Sequence, residues 1–262
     1  AKRAGHDVAG MSRDWDAATY HRVSGPQVEW AAALLDRLDL RGDETVLDAG
    51  CGSGRVTAML FERLPRGHVV AVDQAPSMVE HARSALPRDR ATVLQADLTA
   101  LVLDSPLDSP VDAVFSNAVF HWVPDHDRLF ERLHAALRPG GRLVAQCGGE
   151  GNVARFHRAA REAAGLEPFA RWLAGWEGPW NFAGPGETAE RLERAGFEGV
   201  ETWLEPYPMV PDDPGDYLRT VCLGYHLEQL PEELRDAYVE AVLERSDPEL
   251  DYVRLNIDAR RP

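Results

Sequence analysis

The run Asp48-Ala49-Gly50-Cys51-Gly52-Ser53-Gly54-Arg55 follows a short apolar segment and opens a helical one. Glycines at such a turn let backbone N–H groups approach a ligand that a Cβ would hold off. The dinucleotide fingerprint G-x-G-x-x-G calls for glycine or alanine at position 55 when counted from Gly50, and Arg55 stands there. Counted from Gly52, the place falls to Thr57, which also departs from it. Asp73 closes the next apolar run, where a carboxylate accepts hydrogen bonds from both hydroxyls of a ribose. Asp97 closes a third run, in reach of an adenine amino group, and Asn117 a fourth, at the switch point where ligands of such sheets bind. Each alone is explained by a turn or a helix cap. Together, at the carboxyl ends of successive strands beside a glycine loop, they describe a nucleoside cradle.

The elements that must position these residues alternate along the chain. Strands are expected from Thr45 (TVLDAG), over 68–73, 91–97, 111–117 and 141–147, and later over 199–209 and 252–261. Helices are expected over Glu29–Leu40, Arg55–Leu64, from about Pro76, and over Asp127–Leu137, where Arg138-Pro139-Gly140-Gly141 signals a turn. Continuous apolar strands between helices indicate a doubly wound α/β sheet covered on both faces. Beyond Gly151 the rhythm changes: 152–176 looks helical, 176–186 is an aromatic Gly/Pro-rich loop, and 187–197 is a helix with a glycine stop. The helical stretch 214–245, inserted before the last strand, is expected to lie over the sheet's carboxyl edge as a lid. The division expected is therefore a terminal extension or tag remnant (1–14), a ligand-binding core (15–150), a helical and aromatic cap (151–186), and a C-terminal part of the sheet carrying the lid (187–262).

Of 262 residues, 28 are basic and 43 acidic, for a net charge of −15. Such a field repels polyanions, and no basic patch offsets it, so nucleic acid is not an expected partner. No apolar run approaches the length of a membrane span, and AKRAGHDVAG has no apolar signal core, so a cytoplasmic protein is expected. Cys51, Cys147 and Cys222 are widely separated and form no CxxC pair, which suggests neither zinc nor disulfides. His121, Asp125 and His126 are close in sequence, but no metal is expected there.

On these motifs the chain resembles the class I S-adenosylmethionine (SAM)-dependent methyltransferases. VLDAGCGSG is similar to their first motif, VVAVDQAPSM to their second, LQADL to the adenine-side motif, and LRPGGRLV to the turn before the fifth strand. The resemblance covers roughly residues 15–150 and implies a Rossmann-like seven-stranded sheet with an antiparallel final strand. DWDAATY, SNAVFHWVPDH and the ARR ending resemble the trans-aconitate methyltransferase branch, which methylates small carboxylic acids. By this resemblance Asp48, Gly50, Cys51 and Gly52 hold the methionine half of SAM, and Asp73 grips the ribose with Gln74 and Met78 beside it. Asp97 and Leu98 read adenine, Asn117 faces the sulfonium, and Tyr20 and Trp122 lie near the methyl group and acceptor. The product would be S-adenosylhomocysteine (SAH).

The acceptor is read less closely. A carboxylate acceptor is ionised at neutral pH and needs no base. A hydroxyl or amine acceptor needs one, and His121 is the candidate; a structural histidine bonded to the backbone is the competing reading. Trp172, Trp176, Trp180 and Tyr225 either line an aromatic acceptor pocket or form the core of the cap. A cation in the pocket, such as Arg55 or Arg219, would indicate an acid. Alternatives are natural-product O-, N- or C-methylation, an NAD(P)-dependent oxidoreductase, and a noncatalytic SAM-binding module.

Overall fold

A computed structural model of the protein describes residues 25–102 and 109–262. The expected extension (1–14), Trp15 and Tyr20 lie outside the described residues.

Strands β1 (Thr45–Ala49), β2 (His68–Asp73), β3 (Ala91–Gln95), β4 (Val111–Asn117), β5 (Leu137–Gly148), β6 (Glu198–Met209) and β7 (Leu250–Arg260) form one seven-stranded sheet in the order β3-β2-β1-β4-β5-β7-β6. The first five run parallel, and β7 is antiparallel to both β5 and β6. This is the Rossmann-like arrangement with an antiparallel last strand that the motifs implied. The topology reverses at β1, so β1 and β4 part at their carboxyl ends and open a crevice there.

Helices α1 (Gly25–Asp36), α2 (Thr57–Arg63) and α3 (Pro76–Ala85) cover one face. Leu34, Leu35, Leu60 and Ala82 from these helices pack with Val46, Val69 and Phe115 of the strands. On the other face, α4 (His126–Ala136) presents Leu129, Phe130 and Leu133 to Leu47, Val114 and Leu143. Both faces are thereby buried, which is why the strands carry continuous rather than alternating apolar residues.

Several boundaries differ from the sequence reading. The first helix starts at Gly25 and ends at Asp36, four residues short of Leu40, where Asp39 takes a left-handed φ of 52°. Arg138-Pro139-Gly140-Gly141 does not precede β5 but lies within it. Leu137 already pairs with Val111, and the Gly140 N–H donates to the Arg261 carbonyl at 2.8 Å.

The segment expected as helical over 152–176 is α5 (Ala154–Ala164) followed by the single turn α6 (Ala170–Leu173). α7 (Pro185–Arg194) then leads into β6. The lid segment is not one helix: α8 (Pro214–Tyr217), a π-helical turn (Leu218–Cys222), α9 (Gly224–Gln229) and α10 (Glu232–Leu243) succeed one another, the last capped by Pro231. These pieces share a core of their own with α5, built on Phe156, Ala160, Leu223, Tyr238 and Val242 and reaching the sheet through Leu250 and Tyr252. Tyr238 ties the two halves of the cap by donating to the Ala160 carbonyl at 2.9 Å. No helix among the described residues is long and apolar enough to cross a membrane.

Candidate active site

Gly50 has a φ of +90°, and a Cβ there would come within 2.2 Å of Val119 Cγ2. The loop after β1 and the turn after β4 therefore touch backbone to side chain, a contact only glycine permits. Gly52, at φ +54°, faces open space instead, so its bare Cα leaves room for a ligand.

The loop's N–H groups are less available than the sequence suggested. Those of Gly50 and Cys51 donate to the Val72 carbonyl at 2.8 and 2.9 Å, and that of Gly52 donates to Asp73 Oδ2 at 2.8 Å. The loop is thus tied to the end of β2, and it offers a ligand close approach rather than unclaimed donors.

Asp73 is held from both sides, its Oδ1 accepting from the Ala75 N–H at 2.9 Å. The Gln74 N–H also acts on it, and since a carboxylate has about four acceptor positions, some capacity remains for a ribose hydroxyl. Burial raises its pKa, while the backbone donors of Ala75 and Gly52 pull it down. Asp97 serves as the cap that the plainer reading foresaw: its Oδ1 accepts from the N–H and the hydroxyl of Thr99, each at 2.8 Å. It nevertheless also lines the crevice, beside Leu98.

Asp48 sits beneath the loop rather than on its surface. Thr57 Oγ1 donates to its Oδ2 at 2.6 Å, tying β1 to the start of α2. Burial, reinforced by the neighbouring Asp73 carboxylate, pushes its pKa up to about 7. Neither Asp48 nor Cys51 reaches the cavity wall. The Cys51 thiol is pushed well up by burial and by the charges of Asp48 and Asp73, which keeps it protonated at neutral pH.

The cavity at the carboxyl rim measures about 800 Å³. Gly50, Gly52, Asp73, Gln74, Met78, Asp97, Leu98 and Asn117 line one part of it. His121, Trp122, Trp180 and Tyr225 line the other, so the wall includes part of the cap's aromatic set. Trp172 and Trp176 are not on it; Trp176 packs behind, its ring 5.8 Å from that of Trp180. Of the residues once grouped by their closeness in sequence, Asp125 caps α4 by accepting from the Arg128 N–H at 2.9 Å. His126 Nε2 meets the Phe120 carbonyl at 2.9 Å. Among the described residues, no group of three His, Cys, Asp or Glu stands together as a metal site.

His121 Nδ1 accepts a hydrogen bond from the Gly148 N–H at 3.2 Å. That fixes the proton on Nε2, so the ring is a donor there and has no lone pair left for a proton. Burial, with the nearby charge of Arg254, lowers its pKa well below the usual value. The Nδ1 bond to the backbone favours the reading of His121 as a structural histidine, with the imidazole neutral.

Two residues escaped the sequence reading. Arg254 on β7 lines the cavity although it is only 2% exposed. It faces Gly148 across the β5–β7 ladder, donates from Nε to Gln146 Oε1 at 3.4 Å, and lies over the Trp30 ring at 4.7 Å. Neither cation named from sequence is on the wall; Arg219 instead pairs with Asp236 at 2.5 Å on the surface. In sequence Arg254 is one of several polar residues of β7, beside Asp251, Asn256 and Asp258, and nothing local sets it apart. His157 on α5 also lines the cavity, 4.6 Å from the Trp180 ring, with its pKa lowered by burial to about 4.

The crevice fits SAM on three structural grounds: an open face at Gly52, the Asp73 carboxylate on the wall, and a cavity lined by both Asn117 and residues of the cap. Comparison with known proteins agrees. Residues 47–145 match the methyltransferase domain family. Trans-aconitate 2-methyltransferase of Azoarcus sp. (strain BH72) is 36% identical over 237 residues, 87% of each chain. The enzyme of the same name from Methylobacterium radiotolerans is 33% identical over 258 residues, 92% of this chain and 94% of that one. The chain belongs to the class I SAM-dependent methyltransferases, in the trans-aconitate branch.

Solved structures share this methyltransferase fold. Phosphoethanolamine N-methyltransferase 2 of Haemonchus contortus with bound SAM aligns at a TM-score of 0.59 and 18% identity, over 94% of this chain and 56% of that one. YcgJ of Bacillus subtilis aligns at 0.61 and 14% identity, over 89% and 98%. At these identities they speak for the fold alone. As a SAM-dependent methyltransferase acting on a small molecule, the protein is neither a nicotinamide-dependent oxidoreductase nor a noncatalytic module.

Proposed function

We propose that this methyltransferase esterifies a carboxylate oxygen of a small organic acid; its curated relatives are named for methylating such an acid, trans-aconitate. The observation that carries the reading is Arg254. Its planar fork matches a carboxylate in two parallel bonds. Gln146, itself bonded to Asn256 Oδ1 at 2.9 Å, accepts from the guanidinium Nε at 3.4 Å and so helps fix its orientation.

Bound SAM supplies a methyl group on a sulfonium, already activated for transfer. The chain's own residues hold the parts in line. Asp73 takes the ribose hydroxyls, with Gln74 and Met78 flanking; Asp97 and Leu98 border the adenine; Asn117 adjoins the sulfonium end. Arg254 orients the acid, and the Nε2–H of His121 donates to its second oxygen or to the turn beside it. Orientation of this kind supplies about 7–11 kcal/mol of barrier reduction. An ionised acceptor has no proton to lose, so the absence of a free base nitrogen on His121 is no obstacle.

The test is methyl transfer from SAM labelled in its methyl group to a panel of small acids, alcohols and amines. Expected is label in a product that mild alkali releases as methanol, the mark of a methyl ester. Label found only in alkali-stable ethers or amines would overturn the proposal.

A further inference from the structure

The turn from β5 into α5 carries Asn152, which is only 5% exposed and lines the cavity. An asparagine just before a helix usually caps it. Here its Oδ1 accepts instead from the Val253 N–H of β7, at 3.0 Å. Only the amide oxygen can accept from an N–H, so this bond assigns the two ends of the amide and leaves Nδ2 as a donor. Among the described residues, no group accepts from Nδ2.

The turn is built to hold the amide in place. The Gly149 N–H donates to the Val253 carbonyl and the Val153 N–H to the Asp251 carbonyl, each at 3.0 Å. Val153 takes a left-handed φ of 45° and ψ of 41°, which is costly for a β-branched residue. Such strain persists only where the surroundings over-determine it, and it gathers at ligand sites. A Cβ on Gly148 would lie 2.9 Å from Asn152 Nδ2, so glycine makes room for the amide. The N–H of the same Gly148 donates to His121 Nδ1 at 3.2 Å, and the Phe182 ring stacks on that imidazole at 24°. The backbone bond that fixes His121 thus leaves its Nε2–H as a second donor, on a side chain that also lines the cavity.

We propose that Asn152 is an acceptor-binding residue: its Nδ2–H and the Nε2–H of His121, two neutral donors set around Gly148, hold the carboxylate oxygen that becomes the carbonyl of the ester. The inference rests on the carboxylate reading above and adds a residue to it. The sheet order separates this pair from the cofactor's ribose. Asp73 ends β2 and Asn152 follows β5, three strands away, or about 14 Å across the sheet. Asn117, at the end of β4, stands between them. The other carboxylate oxygen attacks the methyl carbon. An O–C bond forms as the C–S bond breaks, and the bonding pair goes to sulfur, leaving a neutral ester and SAH. Charge leaves the carboxylate during transfer, so the donors act mainly on acid binding and less on the chemical step.

The test measures kcat and KM for trans-aconitate at saturating SAM, beside calorimetric titration of SAH. Where another acid of the panel above is the faster substrate, it replaces trans-aconitate. Asn152→Asp keeps an oxygen for Val253 and removes the donor; Asn152→Leu removes the donor without adding charge. Each is expected to raise KM at least about tenfold, the scale of a lost hydrogen bond to a charged group, with kcat within about threefold and SAH affinity unchanged. An unchanged KM in Asn152→Leu would overturn the inference even with Asn152→Asp impaired, since charge alone would then explain the loss. A fall in SAH affinity as large as the rise in KM would overturn it too. Should Asn152→Leu fail to fold, His121 supplies the comparison. Asparagine there keeps an acceptor where Nδ1 stands but reaches no further, whereas glutamine carries an amide nitrogen to where Nε2 stands. His121→Asn is expected to raise KM at least about tenfold and His121→Gln to stay within about threefold. Equal KM in the two would overturn the inference and leave the carboxylate reading intact. Methylation of no acid by the native protein would overturn both.

Discussion

Replacing Arg254 by Met separates acceptor binding from cofactor binding. Methionine is unbranched and flexible, and fills most of the space of the arginine stem. In the free enzyme the guanidinium is 2% exposed, with a long 3.4 Å bond to Gln146 and the Trp30 ring at 4.7 Å. With the acid bound, the variant loses a buried, hydrogen-bonded charge pair, which costs about 2–5 kcal/mol. At 1.4 kcal/mol per tenfold, kcat/KM for the acid falls about 30- to 4000-fold. Arg254→Lys keeps the charge but not the fork, and should fall between. The assay is the initial rate of methyl transfer over a range of acid concentrations at saturating SAM, beside calorimetric titration of SAH. An unchanged kcat/KM for the acid, or a loss of SAH affinity as large as the loss of activity, would refute the assignment of Arg254 to the acceptor.

Gly50→Ala forces a Cβ into Val119 at φ +90° and should cost about 1–3 kcal/mol of overlap on top of the backbone strain. Chemical denaturation should show the loss, and Val119→Ala added to it should recover the overlap part. SAM is cationic at both its ammonium and its sulfonium, so it binds best to the ionised form of Asp48, whose pKa is pushed up to about 7. As pH falls below 7 the affinity should drop, by at most about tenfold per unit, and calorimetry should find this slope absent in Asp48→Asn. The imidazoles of His157 and His226 are lowered by burial to about 4 and about 3. The unfolded chain therefore binds protons first as pH drops below about 6.5, and stability present above that pH should decline down to about pH 3. Denaturant midpoints that stay flat between pH 6.5 and 4 would contradict this.

What the sequence made legible follows from how locally each feature is determined. Asp73 and Asn117 were legible because each ends a buried parallel strand, and the strand's periodicity alone carries its last residue to the rim. Leu137 joining β5 was hidden, because Arg138-Pro139-Gly140-Gly141 has turn chemistry and its pairing depends on Val111 and Arg261 from distant parts of the chain. The lid was taken as one helical stretch, but Gly224 and Pro231 punctuate it, and its pieces bend around Phe156 and Tyr238 rather than following a single axis.

At the site, the glycines were read for donors that the fold itself uses: the Val72 carbonyl and Asp73 absorb the N–H groups of residues 50 to 52. Arg254 was missed because its position opposite Gly148 is set by the antiparallel β5–β7 register, which no local pattern encodes. His121 was singled out by its place after β4, and it lines the cavity. The Gly148 N–H that decides its tautomer comes from another strand.

The account depends most on Asp73 gripping a ribose beside the glycine loop. Titration of SAH into the protein and into Asp73→Ala, followed by calorimetry, tests that directly. One site per chain is predicted in the native protein, weakened by about 1–3 kcal/mol in the variant, the scale of a buried hydrogen-bonding group lost. Equal affinity in two folded proteins, or no binding to either at millimolar SAH, would contradict it.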